Sequence, residues 1–287
     1  YNGLVHGDFV PLDFDSVSGL SRRGGTMLYS ARSTDFKTEE GQEKAVATCK
    51  LLGLDGVVGI GGDGTFRGLL ELSRRGIAVV GVPGTIDNDI ACSTYTIGFD
   101  TACNTALESI DKLRDTMQSH ERCSVVEVMG RHAGYLALYV GISVGATAVL
   151  IPERKVDFER DIVDKIRRAR LAGSTHYMVV VAEGAGSAAD IGKRIHEELG
   201  LDPRVTVLGH IQRGGSPSAR DRETASRMGY EAVLSLVENR GNRIIAIRDG
   251  HTLDLDMEEA LAMTKTFQMD RYQVLEALTN NGGPRIL

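Results

Sequence analysis

The sequence carries no surplus of positive charge: 33 Lys and Arg stand against 39 Asp and Glu, a formal net charge of −6 with pI near 5.7. A nucleic-acid partner is thereby disfavoured, since that class needs a basic excess. A small acidic substrate stays compatible, because a local arginine cluster can hold phosphate on an acidic protein. Cysteine is sparse: Cys49, Cys92, Cys103 and Cys123 show neither zinc nor redox spacing, which points to free thiols in a reducing compartment. No basic-then-apolar leader opens the sequence. One stretch, Ala133–Pro152, is uncharged for 20 residues, but Gly134, Gly141, Ser143, Gly145 and Thr147 interrupt it. A buried helix near 134–144, a glycine turn and a short strand at Ala148–Ile151 explain it better than a membrane span. The expectation is a soluble, cytoplasmic protein with no nucleic-acid or membrane partner.

Proline is also scarce, with 6 residues against 34 glycines. Without a collagen-type period, that ratio implies many tight turns between regular elements. Charged residues at 25% and apolar residues at 42% describe an ordinary globular chain, and 287 residues suit one large or two ordinary domains. No internal repeat or low-complexity linker is visible.

Short β-branched runs alternate with amphipathic stretches, the pattern of a parallel α/β sheet. Strands are expected at Gly56–Ile60, Ala78–Val82, Ser124–Met129, Met178–Ala182, Val205–Leu208 and Ile244–Ile247. Helices are expected at Glu39–Leu52, Phe66–Arg75, Asp157–Ala172, Ala188–Leu199 and Asp221–Glu238. Five strand ends carry glycine together with an acid or a base: Gly61–Thr65, Pro83–Asp89, Gly130–His132, Glu183–Gly184 and Gly209–Gly215. Open parallel sheets bind ligands beyond the carboxyl ends of their strands, so these loops are the candidate site.

Each loop has a chemical reading and a plainer one. Glycines between a strand and a helix let backbone N–H groups approach phosphate, and Asp63 beside them suits a magnesium-bridged nucleotide. A glycine turn capped by Asp63 is the plainer alternative. Asp87 and Asp89 lie two residues apart at the next strand end. Phosphoryl transfer to an alcohol needs one group to accept the hydroxyl proton, and Asp87 fits that role. Asp89 reads equally well as a turn residue stabilising its own backbone. Arg122, Arg131, Arg204, His210 and Arg213 fall at strand edges, where converging guanidinium groups would hold a sugar phosphate. Any one of them alone is more often a surface ion-pair residue. Glu183, after an apolar strand, suits a sugar hydroxyl or a helix N-terminus.

Taken together, Gly61–Thr65, Pro83–Ile90, Tyr95–Asp100, Val125–Gly134 and Val207–Pro217 resemble bacterial ATP-dependent 6-phosphofructokinases, with similarity running from Tyr1 to about Phe267. The resemblance implies two Rossmann-like α/β domains with largely parallel sheets and a site in the cleft at the strand C-terminal ends. The expected division is 1–98 plus about 212–262 for ATP, and about 99–211 plus 263–287 for fructose 6-phosphate. It implies transfer of the ATP γ-phosphoryl group to the 1-hydroxyl of fructose 6-phosphate, with Mg2+, by a homotetramer. Asp87 matches the proton acceptor and Asp63 the magnesium ligand. Arg32, Ser33, Gly62, Asp63, Gly64 and Thr65 match nucleotide contacts. Thr85, Ile86, Met129, Gly130, Arg131, Glu183 and His210 to Arg213, a run that includes Ile211 and Gln212, match substrate contacts. Thr85 and Arg131 also match residues that stabilise the transferring group. Arg122 and Arg204 match arginines reaching a neighbouring subunit's sugar phosphate, so sites would be shared across subunits.

Three features qualify the match. Family members usually open with a strand, glycine turn and helix before the segment resembling Tyr1-Asn2-Gly3-Leu4, so a sheet edge is expected to be exposed. Pyrophosphate-dependent relatives usually carry Asp and Lys where Gly64 and Gly84 stand, so the glycines favour ATP. Arg114 matches an effector-site residue, but Thr147, Ala172 and Ser174 replace the usual acidic and basic partners, so the effector response is expected to be absent or altered. NAD or lipid kinases, a pyrophosphate-dependent enzyme and a non-catalytic sugar-phosphate-binding subunit are the competing readings.

Overall fold

The computed structural model describes residues 1–118 and 123–279, so Arg122 lies outside the described residues. Two compact units emerge. The first comprises Tyr1–Thr85, Ile90–Gly98 and Ser216–Lys265; the second comprises Ile86–Asp89, Phe99–Gly215 and the chain from Thr266. The divided sequence thus places Ile86–Asp89 and 212–215 with the second unit, whereas the sequence division ran through 98 and from about 212.

The first unit is built on strands β1 (Val57–Gly61), β2 (Val79–Pro83), β7 (Arg243–Arg248) and β8 (His251–Asp256), in the order β1-β2-β7-β8. β1, β2 and β7 are parallel, and β8 returns antiparallel to β7. Side-chain alternation along β2 explains why helices cover both faces. Val79 joins Phe66, Leu69, Leu72 and Ile244 on one side, while Val80 and Val82 join Met228, Ala232, Ile245 and Ile247 on the other. Helix Asp63–Ser73 lies so close to the sheet that a Cβ at Gly81 would stand 2.7 Å from Phe66. β1 ends the sheet, and Ile60 on it is 63% exposed.

The second unit has four parallel strands: β3 (Cys123–Val128), β4 (Ala148–Leu150), β5 (Tyr177–Ala182) and β6 (Arg204–Val207), ordered β4-β5-β3-β6. Every residue of β5 is buried, as expected for a strand covered on both faces. Val125, Val179 and Val181 pack with Ile162, Ile166 and Ile195 from the helices on one face. The uncharged stretch resolves into helix Tyr135–Ser143 and β4, and no described helix is long and apolar enough to cross a membrane. The four cysteines are buried and free.

Three local expectations are corrected. Helix 66–75 begins earlier, at Asp63, because Gly62 already accepts the first helical N–H groups. The single helix expected over 157–172 divides into a π-helical turn at Glu159–Val163 and an α-helix at Asp164–Leu171. β8 was not expected, although Asp249-Gly250, both at positive φ, form the two-residue turn that joins it to β7.

Candidate active site

In the first unit the site begins where β1 runs into helix Asp63–Ser73. Gly62 caps that helix, and its carbonyl accepts the N–H groups of Thr65 (2.9 Å) and Phe66 (3.2 Å). Only glycine fits at position 61, since a Cβ there would stand 2.3 Å from Thr65 Oγ1. A Cβ at Gly64 would meet nothing within 4 Å, so the space beside the first helical turn is open there. Free N–H groups and the helix dipole at such an end favour an anion. Asp63 is exposed in the first helical turn.

The neighbouring strand end is tied to this loop. Gly84 N–H donates to the Gly61 carbonyl at 3.0 Å, and the Thr85 carbonyl accepts the Thr96 hydroxyl at 2.6 Å. Ser33 accepts the Phe36 N–H at 3.2 Å, while Arg32 is exposed in an irregular segment of the same unit.

Magnesium is normally held by one or two carboxylates together with substrate phosphates and water. A single carboxylate beside an open, phosphate-favouring helix end fits that donor set. Among the described residues no group of three His, Cys, Asp or Glu is arranged to hold a metal on its own.

The second unit supplies the charges. Asn88, buried and at φ 51, turns the chain between Asp87 and Asp89, a conformation that Asn tolerates. Burial pushes the Asp87 carboxyl up to about 6; Asp89 and Glu183 push the same way, and Arg131 and Arg213 pull it down. The structure therefore brings Asp87, Asp89, Arg131, Glu183 and Arg213 into one electrostatic group, from four separate loops. Met129 and Gly130 are buried and Arg131 is exposed at φ 58. Glycine is required at 130, where φ is 139 and a Cβ would stand 2.4 Å from the Ala133 carbonyl. Glu183 accepts the Arg131 N–H at 2.6 Å.

His210, Ile211 and Arg213 are exposed on the short 3-10 helix Gly209–Arg213, and Ile86 is partly buried. Gln212 in the same turn is 1% exposed, and its Oε1 accepts the Met129 N–H at 2.7 Å. Its amide oxygen is thus spent on the protein's own backbone. Arg204, at the edge of the sheet, pairs with Asp202 at 3.1 Å. Arg114 donates to the Val144 carbonyl. A cavity lined by residues on either side of Val144, among them Gly145, Thr147 and Ser174, has no charged side chain among the described residues that line it.

Sequence reasoning missed Glu153. Its Oε1 accepts the Gly134 N–H at 2.7 Å, and it follows β4 just as the other acids follow their strands. The signal was the same strand-end pattern, without a glycine to mark it.

An α/β chain with a glycine loop at a helix N-terminus and an Asp–Arg group at strand ends defines a phosphoryl-transfer protein. Residues 1–236 match the family described as phosphofructokinase, and the chain belongs to that family. It is 48% identical to the ATP-dependent 6-phosphofructokinases of Clostridium botulinum (strain Loch Maree) and Brevibacillus brevis, over 97% of this chain and 87% of theirs. The solved Saccharomyces cerevisiae phosphofructokinase superposes with a TM-score of 0.83 at 31% identity; the match covers 98% of this chain and 41% of that longer one. A pyrophosphate-dependent phosphofructokinase from Marinobacter aquaeolei shares the fold, with a TM-score of 0.77 at 22% identity over 90% of this chain and 71% of that one.

Proposed function

We propose that this protein is an ATP-dependent 6-phosphofructokinase, transferring the γ-phosphoryl group of ATP to the 1-hydroxyl of fructose 6-phosphate. The observation that carries the reading is the Asp87 carboxyl, raised to about 6 by burial and by Asp89 and Glu183, yet flanked by Arg131 and Arg213. A carboxylate of that basicity is ionised at neutral pH and still a better proton acceptor than an ordinary aspartate.

In the reaction the 1-hydroxyl oxygen bonds to the γ-phosphorus as the bond to the β–γ bridging oxygen breaks. Asp87 takes the hydroxyl proton, and ADP leaves. Arg131, with Thr85, stabilises the charge spread over the transferring group, and His210 and Arg213 orient the sugar phosphate. Met129, Gly130, Ile86 and Ile211 line the acceptor, and Glu183 reaches a sugar hydroxyl with the oxygen not given to Arg131. Arg32, Ser33 and Gly62 to Thr65 hold the nucleotide. Asp63 would hold Mg2+, which neutralises phosphate charge when bound.

The unit carrying Gly61–Thr65 is read as the ATP-binding domain, and the unit carrying Asp87, Arg131 and Arg213 as the fructose 6-phosphate domain. A cytoplasmic homotetramer, with Arg122 and Arg204 serving a neighbouring subunit, completes the reading. The uncharged surroundings of Thr147 and Ser174 support an altered effector response at Arg114. Glycine at both 64 and 84, without the Asp and Lys usual in pyrophosphate-dependent relatives, favours ATP as donor.

The test is acceptor choice. Mg-ATP turnover should appear with fructose 6-phosphate and be absent with NAD or diacylglycerol. Phosphorylation of either alternative, without fructose 6-phosphate turnover, would overturn the reading.

A further inference from the structure

The loop Met129–Gly134 is held by its backbone at three points, each from a different part of the second unit. Gln212 Oε1 accepts the Met129 N–H (2.7 Å), Glu183 Oε1 the Arg131 N–H (2.6 Å) and Glu153 Oε1 the Gly134 N–H (2.7 Å). Between these points the loop has little freedom. Ala133 N–H closes a turn onto the Gly130 carbonyl at 2.9 Å. A Cβ at Gly184 would stand 2.4 Å from the Arg131 carbonyl, and one at Gly134 would stand 2.5 Å from Ile151.

Such support has a reason. Arg131 is a non-glycine residue at φ 58, a left-handed conformation that costs free energy unless its surroundings fix it. Three side-chain acceptors on backbone donors supply that restraint without occupying the guanidinium. Gln212 is itself fixed in place: its side chain is buried, and its Oε1 bond to the Met129 N–H anchors it against the loop.

We infer that Glu153 and Gln212 are positioning residues, which clamp the Met129–Gly134 backbone so that Arg131 meets the transferring phosphoryl group in a fixed pose. The inference rests on the phosphofructokinase reading for what Arg131 does, and on the three backbone contacts for how it is held. Neither residue need touch substrate. Gln212 therefore acts beneath the sugar-phosphate site rather than as one of its contacts.

The experiment compares Glu153→Ala, Glu153→Gln and Gln212→Met with wild type in two assays. The first is amide hydrogen exchange of the peptide spanning 130–135 in the unliganded protein. Exchange should quicken about tenfold or more in Glu153→Ala and Gln212→Met, and stay near wild type in Glu153→Gln, which keeps a carbonyl acceptor. The second is kinetics. In the first two variants kcat should fall about tenfold to a hundredfold with KM for fructose 6-phosphate within about threefold, and Glu153→Gln should recover most of kcat.

Unchanged exchange in both disrupting variants would overturn the inference, as would kcat and KM left at wild-type values. So would a loss of activity that only tracks the loss of folded protein. If Gln212→Met does not fold, the Glu153 pair decides. A wild type without fructose 6-phosphate turnover would defeat the functional reading instead, and the exchange comparison would still decide the clamp.

Discussion

Glu183 accepts the backbone N–H of Arg131 at 2.6 Å, and the two side chains act on the Asp87 carboxyl in opposite senses. Glu183 raises its proton affinity and Arg131 lowers it, while burial and Asp89 set the net direction upward, to about 6. The base must be ionised to accept a proton, so kcat/KM for fructose 6-phosphate should fall on the acid side of about pH 6. Asp89→Asn removes one raising charge and should move that limb to lower pH. Arg213→Gln removes a lowering charge and should move it to higher pH. A pH–rate profile of the three proteins checks both signs, and an acid limb that ignores both substitutions would contradict the assignment.

Asp87→Asn should lower turnover by about 10²–10⁴, the usual contribution of a general base. Fructose 6-phosphate binding, measured by titration calorimetry, should change far less because arginine and histidine carry its phosphate. Stability should move the other way. A carboxyl whose folded value is about 6, against an ordinary aspartate value of 3.8, binds its proton more tightly when folded. Its contribution to stability is therefore fully present below about pH 4 and is lost as pH rises through 6. At pH 7 the substitution removes that penalty, and a Tm rise of about 2–4 °C is expected, shrinking to nothing near pH 4.

Gly61 is predicted to tolerate no side chain. Gly61→Ala sets a Cβ 2.3 Å from Thr65 Oγ1, at the loop that leads into helix Asp63–Ser73. The loop must shift, so KM for ATP should rise by about tenfold or more while fructose 6-phosphate binding is retained. Equal effects on both substrates would show that the change acts through general unfolding.

Lys165 is 2% exposed, and its Nζ lies 2.6 Å from Glu276 on helix Met269–Thr279. Removing one partner of such a pair strands a buried charge, whereas removing the charge itself need not. Urea melts should show Glu276→Gln destabilised by about 1–3 kcal/mol and Lys165→Met changed by less than about 1 kcal/mol. Equal destabilisation would contradict this, because the cost would then follow loss of the pair and not the stranding of the Lys165 charge.

Much of the frame was legible because five of the parallel strands end in loops that join glycine to charge. Gly61–Thr65 and Pro83–Asp89 join glycine to charge directly after apolar runs, and the structure confirms those runs as β1 and β2. The proton affinity of Asp87 was not legible. It depends on Asp89, Glu183, Arg131 and Arg213 meeting, and only folding brings those loops together. Glu153 escaped because no glycine marks the end of its strand; Gln212 was expected only as a substrate contact, and neither residue's bond to a backbone N–H leaves a trace in side-chain spacing. β8 was legible and overlooked, since Leu253 and Leu255 alternate after an Asp-Gly turn. The π-helical turn at Glu159–Val163 carries no comparable signal.

The most direct measurement is formation of fructose 1,6-bisphosphate by the wild-type chain, with Mg-ATP and Mg-pyrophosphate compared as donors. The Asp87 group predicts phosphoryl transfer to the sugar, and glycine at 64 and 84 predicts product with ATP and none above background with pyrophosphate. Product with pyrophosphate alone, or with neither donor, would contradict the account.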